Sequence, residues 1–412
     1  MKTRLLFIII FSVFCLLGAF SRLYQIQVVP ASISYDELDH VINGLSIFYT
    51  GKDIQGEHFF WELYPTQTHT FTAELSGLWH SFVSFLPLPN YTLARLPNII
   101  AGFVASGAFA FFVYQVFRSR KIALIVLALM LVSPWHILLS RTAYEAPVAL
   151  AWLISSIVFF WQMLEKRKNK QKIIYLALTI FCMLASFYTY HGYKMLFPFI
   201  FILVFLWNRK TSIKTSFTKK GIKEISNYAI LLILFSWLVA FALFSYRLNE
   251  GHYGNRTSEI SILNTEGATE KVNAVRQGSL ENRYNSVFVN KGTVVSDQIE
   301  NNFLESFDPA MLFFNGYDKS YVLGLWEHGF LYIIQLPLII IGFLWASKYK
   351  SRDTIFLHIF ILISVIPVVI HTNTSVALRS GLLIPILILF SAFGVYILSL
   401  IHISRGSRLS GR

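Results

Sequence analysis

MKTRLLFIIIFSVFCLLGAFSRLYQIQVVPASISYDELDHVINGLSIFYTGKD, residues 1–53, sets the terms on which the rest of the chain is read. Leu5 to Phe20 is an apolar run preceded by Lys2 and Arg4. Basic residues stay on the cytoplasmic side, so the run is expected to start there and to deliver the chain beyond it to the far face. On that face stand two adjacent carboxylates, Asp36 and Glu37. They head a second stretch in which Leu38, Val41, Ile42, Leu45 and Phe48 recur at helical spacing. Such a stripe suits a helix lying in the interface plane, and acids in its first turn are favoured by the helix dipole. An N-terminal cap accounts for one acid but less well for two. The pair is therefore read as candidate chemistry at a place where lipid, water and protein meet.

Outward from this stretch the pattern repeats. Of 412 residues 55% are hydrophobic and 14% charged, and the apolar residues come in blocks of membrane-crossing length. The chain reads as an all-α polytopic membrane protein of about ten spans, at residues 5–24, 93–117, 121–139, 147–164, 173–190, 195–207, 226–246, 328–346, 354–371 and 381–402. The sixth is short for a perpendicular helix. The net charge of +13 does not point to nucleic acid, because most of the Lys and Arg fall in short segments expected to be cytoplasmic. The run Lys166, Arg167, Lys168, Lys170 and Lys172 reads as a topology determinant. Both termini are expected to be cytoplasmic. Gly18-Ala19-Phe20 is a poor cleavage site, and nine more spans come after it, so an uncleaved first span is expected. Cys15 and Cys182 fall inside spans, which argues against a disulfide framework or a thiolate metal site.

Three parts are expected: a transmembrane catalytic module over 1–246, a large external loop at 247–327, and C-terminal transmembrane helices over 328–412. The first external loop, 25–92, carries a second amphipathic stretch with Leu75, Leu78, Trp79, Phe82 and Val83, so two interfacial helices are expected there. The loop 247–327 is polar and weakly periodic until Phe313 and Phe314. A mobile lid and an acceptor-binding element remain open readings of it. No internal repeat is visible.

Six pieces, in this order and spacing, carry a resemblance: PASISYDELDHVINGLSIFYTGKD at 30–53, ARLPNIIAG at 94–102, SPWHILLSRTAYEAP at 133–147, SFYTYHGYKMLFP at 186–198, EHGFLYIIQLPLIIIG at 327–342 and HTNTSVALRSGLLIP at 371–385. Together they resemble the GT-C superfamily of integral membrane glycosyltransferases, in particular the protein O-mannosyltransferase and aminoarabinose-transferase-like group of family 39. The resemblance implies transfer of a sugar from a polyprenyl-phosphate donor on the external side. It makes Asp36 the catalytic base with Glu37 beside it, and Glu145 a supporting acid of the second external loop.

The chemistry of such a transfer asks for three things: an acceptor hydroxyl that loses its proton, in-line geometry at the anomeric carbon, and neutralisation of the departing lipid phosphate. A carboxylate at the interface meets the first need. Basic residues at external span ends meet the last, and Arg95, Arg141, Lys194 and Arg379 are the candidates. Each also suits an interfacial anchor. His191, Tyr193, Glu327 and His328 complete the substrate-binding candidates, although an aromatic belt accounts for the tyrosines at 188–193 without a ligand. No metal is assigned, since nothing fixes the geometry of Asp36, His40, Glu145 and His328, and no cofactor is expected. The expected partners are a polyprenyl-phosphate sugar donor, an acceptor that is protein, lipid or wall polymer, and the bilayer. A lipid-linked polysaccharide ligase or polymerase is the rival enzyme, and a transporter or flippase of lipid-linked sugars the rival from outside enzymology. Polar clusters at span ends rather than mid-span favour the transferase.

Overall fold

The computed structural model describes residues 2–31, 33–58, 72–166, 168–212, 220–249, 262, 265–279, 284–316, 323, 325, 327–349, 351–371 and 376–409. Each of the ten expected spans contains a helix. The first is α1 (Lys2–Leu23), then α2 (Tyr35–Thr50) and α3 (Leu78–Ser81) in the first long loop. Next come α4 (Asn90–Phe117), α5 (Arg120–Val132), α6 (Pro134–Ser140), α7 (Glu145–Glu165), α8 (Asn169–Thr189), a 3-10 turn at His191–Tyr193, α9 (Phe197–Ser212) and α10 (Lys220–Asn249). The polar loop holds α11 (Thr265–Gln277), α12 (Asn285–Phe288) and α13 (Lys291–Glu305). The chain ends through α14 (Gln335–Tyr349), α15 (Ser351–Ser364), α16 (Ile366–Val369), α17 (Val376–Arg379) and α18 (Leu383–Leu409). An isolated β-bridge joins Lys52 and His58.

Five of these helices are individually long and apolar enough to cross a bilayer, and a sixth crossing results if α5 and α6 are one broken span. The break is chemical. Pro134 has no N–H to continue the ladder and pushes Ser133 to an extended conformation (ψ 128°), so α6 leaves α5 at 58°. The short expected sixth span is α9, whose apolar part runs Phe197–Arg209. The core lies where α7 packs on α4, α8 and α9, with Phe160 and Trp161 of α7 and Phe201 and Trp207 of α9 buried there. On the other side α14 crosses α18 so closely that a Cβ on Gly342 or Gly394 would strike the facing backbone carbonyl of Phe390 or Leu338, the small-residue contact typical of membrane helices.

Three expectations change in detail. The second amphipathic stretch yields only the one-turn α3, flanked by turns, because His80 and Ser81 are drawn inward against α2 and α4. Glu327 and His328 do not open a span. They sit exposed in irregular chain ahead of α14, where the backbone of Phe330 and Leu331 bonds to Trp135, Met311 and Leu312 instead of winding into helix. The polar loop is not structureless: Asn290 caps α13 by a reciprocal bond with Thr293, and Asn302 on α13 donates to the carbonyls of Val369 and His371 at 3.2 and 2.7 Å.

Candidate active site

The site grows from the first turn of α2. Ser34 caps the helix: its hydroxyl accepts the Glu37 N–H at 3.3 Å, while Glu37 Oε2 accepts the Ser34 N–H at 2.8 Å. This is the capping box expected where Ser precedes Glu by three residues. Glu37 does more. Its Oε1 accepts the backbone N–H of Ala143 at 2.6 Å, so one carboxylate joins α2 to the α6–α7 turn 106 residues away and is 3% exposed. Asp36, the neighbouring acid, is only half-buried. The Ser34 hydroxyl in turn donates to the Tyr144 hydroxyl at 2.9 Å, a second link to the same turn.

One turn further along α2, His40 is 2% exposed and its Nε2 lies 2.7 Å from Oε2 of Glu145. Burial alone would lower this imidazole's pKa. The Glu145 carboxylate, with Asp36 and Asp39 behind it, outweighs burial and leaves the pKa raised. His80 stacks on it, rings 13° from parallel with centroids 6.4 Å apart. His80 is pushed down to about 4 by burial and then by the His40 charge. The two rings are therefore driven apart in pKa, His40 upward and His80 downward, and His80 is bonded to the Ala94 carbonyl at 3.1 Å. The same carboxylate reaches further: burial first, then Tyr190 and Glu145, hold the Tyr193 hydroxyl well above the ordinary range. Tyr193 packs its ring end against Gly381, two residues beyond Arg379, closely enough that a Cβ there would collide with the hydroxyl.

The basic candidates separate by partner. Arg95 donates to the carbonyls of Ile26 and Pro30, and Arg141 to those of Ser21 and Val29 at 2.7 and 2.8 Å. Both guanidinium groups thus hold the connection between α1 and α2. Lys194 is buried, with Nζ 3.2 Å from Glu74 Oε2 and 4.0 Å from the Phe244 ring centre. Burial lowers its pKa, and Glu74 offsets only part of that. His191 lies half-buried beside Phe244, ring centroids 5.9 Å apart. Arg379 is half-buried on α17. His371 lies just past the end of α16, and burial and then the Arg379 charge bring it down to about 3, which places that charge near a neutral imidazole. Asp36, Glu37, Glu145, Tyr193 and Arg379 thus gather at one end of the helix bundle. Glu327 and His328 stand on the separate stretch before α14.

Sequence reasoning assigned no role to Glu74, His80 or Arg22. Arg22 donates to the carbonyls of Gly18 and Leu131 and lies 2.8 Å from His136 Nδ1. A visible signal existed for Glu74, an acid amid apolar residues in a stretch facing a buried lysine. Among the described residues no group of three His, Cys, Asp or Glu side chains that could hold a metal ion is found, and His40 Nε2 meets Glu145 Oε2 directly.

Comparison with known proteins bears on the fold and on one stretch of the chain. Residues 65–250 match the model of the family described as dolichyl-phosphate-mannose-protein mannosyltransferase. Among solved structures, ArnT from Cupriavidus metallidurans bound to undecaprenyl phosphate is similar over 95% of this chain and 60% of its own, with a TM-score of 0.53 at 12% identity. Its apo state is similar over 100% and 63%, with a TM-score of 0.52 at 11% identity. The Archaeoglobus fulgidus oligosaccharyltransferase in complex with Zn and sulfate is similar over 96% and 50%, with a TM-score of 0.51 at 12% identity. The chain therefore spans 50–63% of the length of these three structures. No curated protein matches it in sequence. The chain is an all-helical, multi-pass membrane protein whose fold is similar to that of these structures and whose residues 65–250 match that family model.

Proposed function

We propose that the chain is a glycosyltransferase that moves a sugar from a polyprenyl-phosphate donor to an acceptor hydroxyl on the extracytoplasmic side, with inversion at the anomeric carbon. The carrying observation is the division of labour between the two adjacent acids. Glu37 accepts backbone N–H groups with both of its oxygens and is buried, whereas Asp36 keeps solvent access at the first turn of α2. Asp36 is therefore the base. It takes the acceptor proton while the acceptor oxygen forms the new bond to the anomeric carbon and the carbon–oxygen bond to the lipid phosphate breaks. The electron pair leaves with the phosphate.

Arg379 offsets that departing charge, because its neighbour His371 is neutral and competes little for anions. Arg95 and Arg141 act one step back, fixing the α1–α2 connection that delivers Asp36. Lys194 and Glu74 hold the loop at 72–81 against the α8–α9 turn, and Glu145 serves through His40 and Tyr193. The family match and the undecaprenyl phosphate held by ArnT, a protein of the same fold, support the lipid-linked donor.

Asp36→Asn tests the assignment. Asn preserves size but accepts no proton near neutrality, and the helix cap is Ser34, which the substitution leaves in place. With purified enzyme and an undecaprenyl-phosphate sugar that the parent turns over, kcat is expected to fall about a hundredfold to ten-thousandfold with donor KM little changed. Turnover at the parental rate would remove Asp36 from the mechanism. Mass spectrometry of products from a panel of such donors identifies the sugar.

A further inference from the structure

We propose that His40 is the positioning residue of this site: an imidazolium clamped by Glu145 that ties the base-bearing helix α2 to the start of α7 and sets a fixed positive charge one helical turn from Asp36. The inference rests on Asp36 acting as the base. Its grounds are geometric. Asp36 and His40 are four residues apart on α2, the spacing at which helical side chains meet. His40 is almost fully enclosed, and its Nε2 touches Glu145 at 2.7 Å.

Neither ring nitrogen of His40 makes a hydrogen bond of good geometry among the described residues, although Nε2 lies against Glu145, and the adjacent Asp39 Oδ2 is buried without a hydrogen-bond partner there too. An unfilled buried donor costs about 1–3 kcal/mol, a cost that His80 Nδ1 shares. The charge count gives the reason to keep it. Asp36 and Asp39 face His40 from α2, Glu145 from α7 and His80 from α3. With His80 neutral, three carboxylates converge on one cation. Without that cation they would repel one another, and the helix that carries Asp36 would be driven from α7.

The raised pKa of His40 gives the sign of the pH effect. The imidazolium is fully present below the ordinary histidine value and is lost as pH rises through the raised value, so both the clamp and the turnover it supports fail on the alkaline side. His40→Gln isolates this. Gln keeps an N–H able to reach Glu145 and cannot titrate. Two measurements are made on parent, His40→Gln and Asp36→Asn in detergent micelles: melting temperature from pH 5 to 10, and kcat against pH with an undecaprenyl-phosphate sugar that the parent accepts.

The parent is expected to lose melting temperature and kcat together on the alkaline side. His40→Gln should be flat in that range in both measurements, with kcat lowered on the order of ten- to a hundredfold and donor KM unchanged. A His40→Gln protein that retains the parent's alkaline limb, or its full kcat, overturns the proposal. So does a parent whose melting temperature ignores pH in that range, and this second outcome requires no turnover to read. Failure of the underlying reading looks different: Asp36→Asn would then turn over like the parent, whatever His40→Gln does.

Discussion

Asp36 and Glu37 are consecutive in the chain and chemically almost alike, yet the fold assigns them opposite duties. Glu37 sits at the third position of α2, where its side chain curls back to the cap and meets the Ala143 N–H, and that double acceptance leaves no oxygen for a substrate. Glu37→Gln therefore places an amide donor against a backbone donor. It is expected to lower stability by about 1–3 kcal/mol, read as a fall in melting temperature relative to the parent, with kcat per folded molecule preserved far better than in Asp36→Asn. A reversed ranking in kcat, Glu37→Gln worse than Asp36→Asn at equal folded fraction, would hand the base role to Glu37. That one of the pair was chemical and one a cap could be read from residues 34–37. Which was which depended on the arrival of Ala143 from 106 positions away.

At the scale of elements, α2 is turned inside out relative to a soluble helix. Its buried residues are Glu37, His40, Asn43 and Gly44, while Tyr35, Leu38, Ile42 and Phe48 are exposed. This pattern suits an interfacial helix, whose apolar stripe faces lipid while its polar face meets protein. The periodicity was legible in the sequence. The element that covers the polar face was not. It is α3, packed so closely that a Cβ on Gly44 would lie 2.5 Å from that of His80. The chain around α3 is fastened in turn by the Leu75 N–H to the Tyr188 carbonyl at 2.8 Å, by Trp79 Nε1 to Thr189 Oγ1 at 2.9 Å, and by the buried Glu74–Lys194 pair. Breaking that pair strands a buried charge. Lys194→Met is expected to cost about 3–5 kcal/mol, and adding Glu74→Met should recover most of the loss. Equal melting temperatures for Lys194→Met and the parent would show that the pair contributes nothing.

At the scale of the molecule, the proposal requires every site residue to face one aqueous side. The side should be opposite the basic runs. In a background lacking Cys15 and Cys182, Ala31→Cys just ahead of α2 is expected to react with an impermeant thiol reagent on intact cells, and Lys168→Cys between α7 and α8 only after permeabilisation. Labelling in the opposite sense would invert the topology and move the site to the cytoplasm. The sequence by itself determined the class of this protein, because apolar blocks of bilayer length leave a chain little choice but helix: backbone groups in hydrocarbon must bond within their own segment. It also determined the acid pair and the order of the six family-like pieces, which are local facts. Tertiary structure decided what each polar group does. Arg95 and Arg141 were visible as cations at span ends, but their carbonyl partners belong to the α1–α2 connection, whose path no local pattern specifies. His40 meets Glu145, and Tyr193 meets Gly381, only once α2, α7 and α17 have been brought to the same end of the bundle. A buried charge takes its role from the nearest group able to satisfy it, and in this chain that group lies tens to hundreds of residues away.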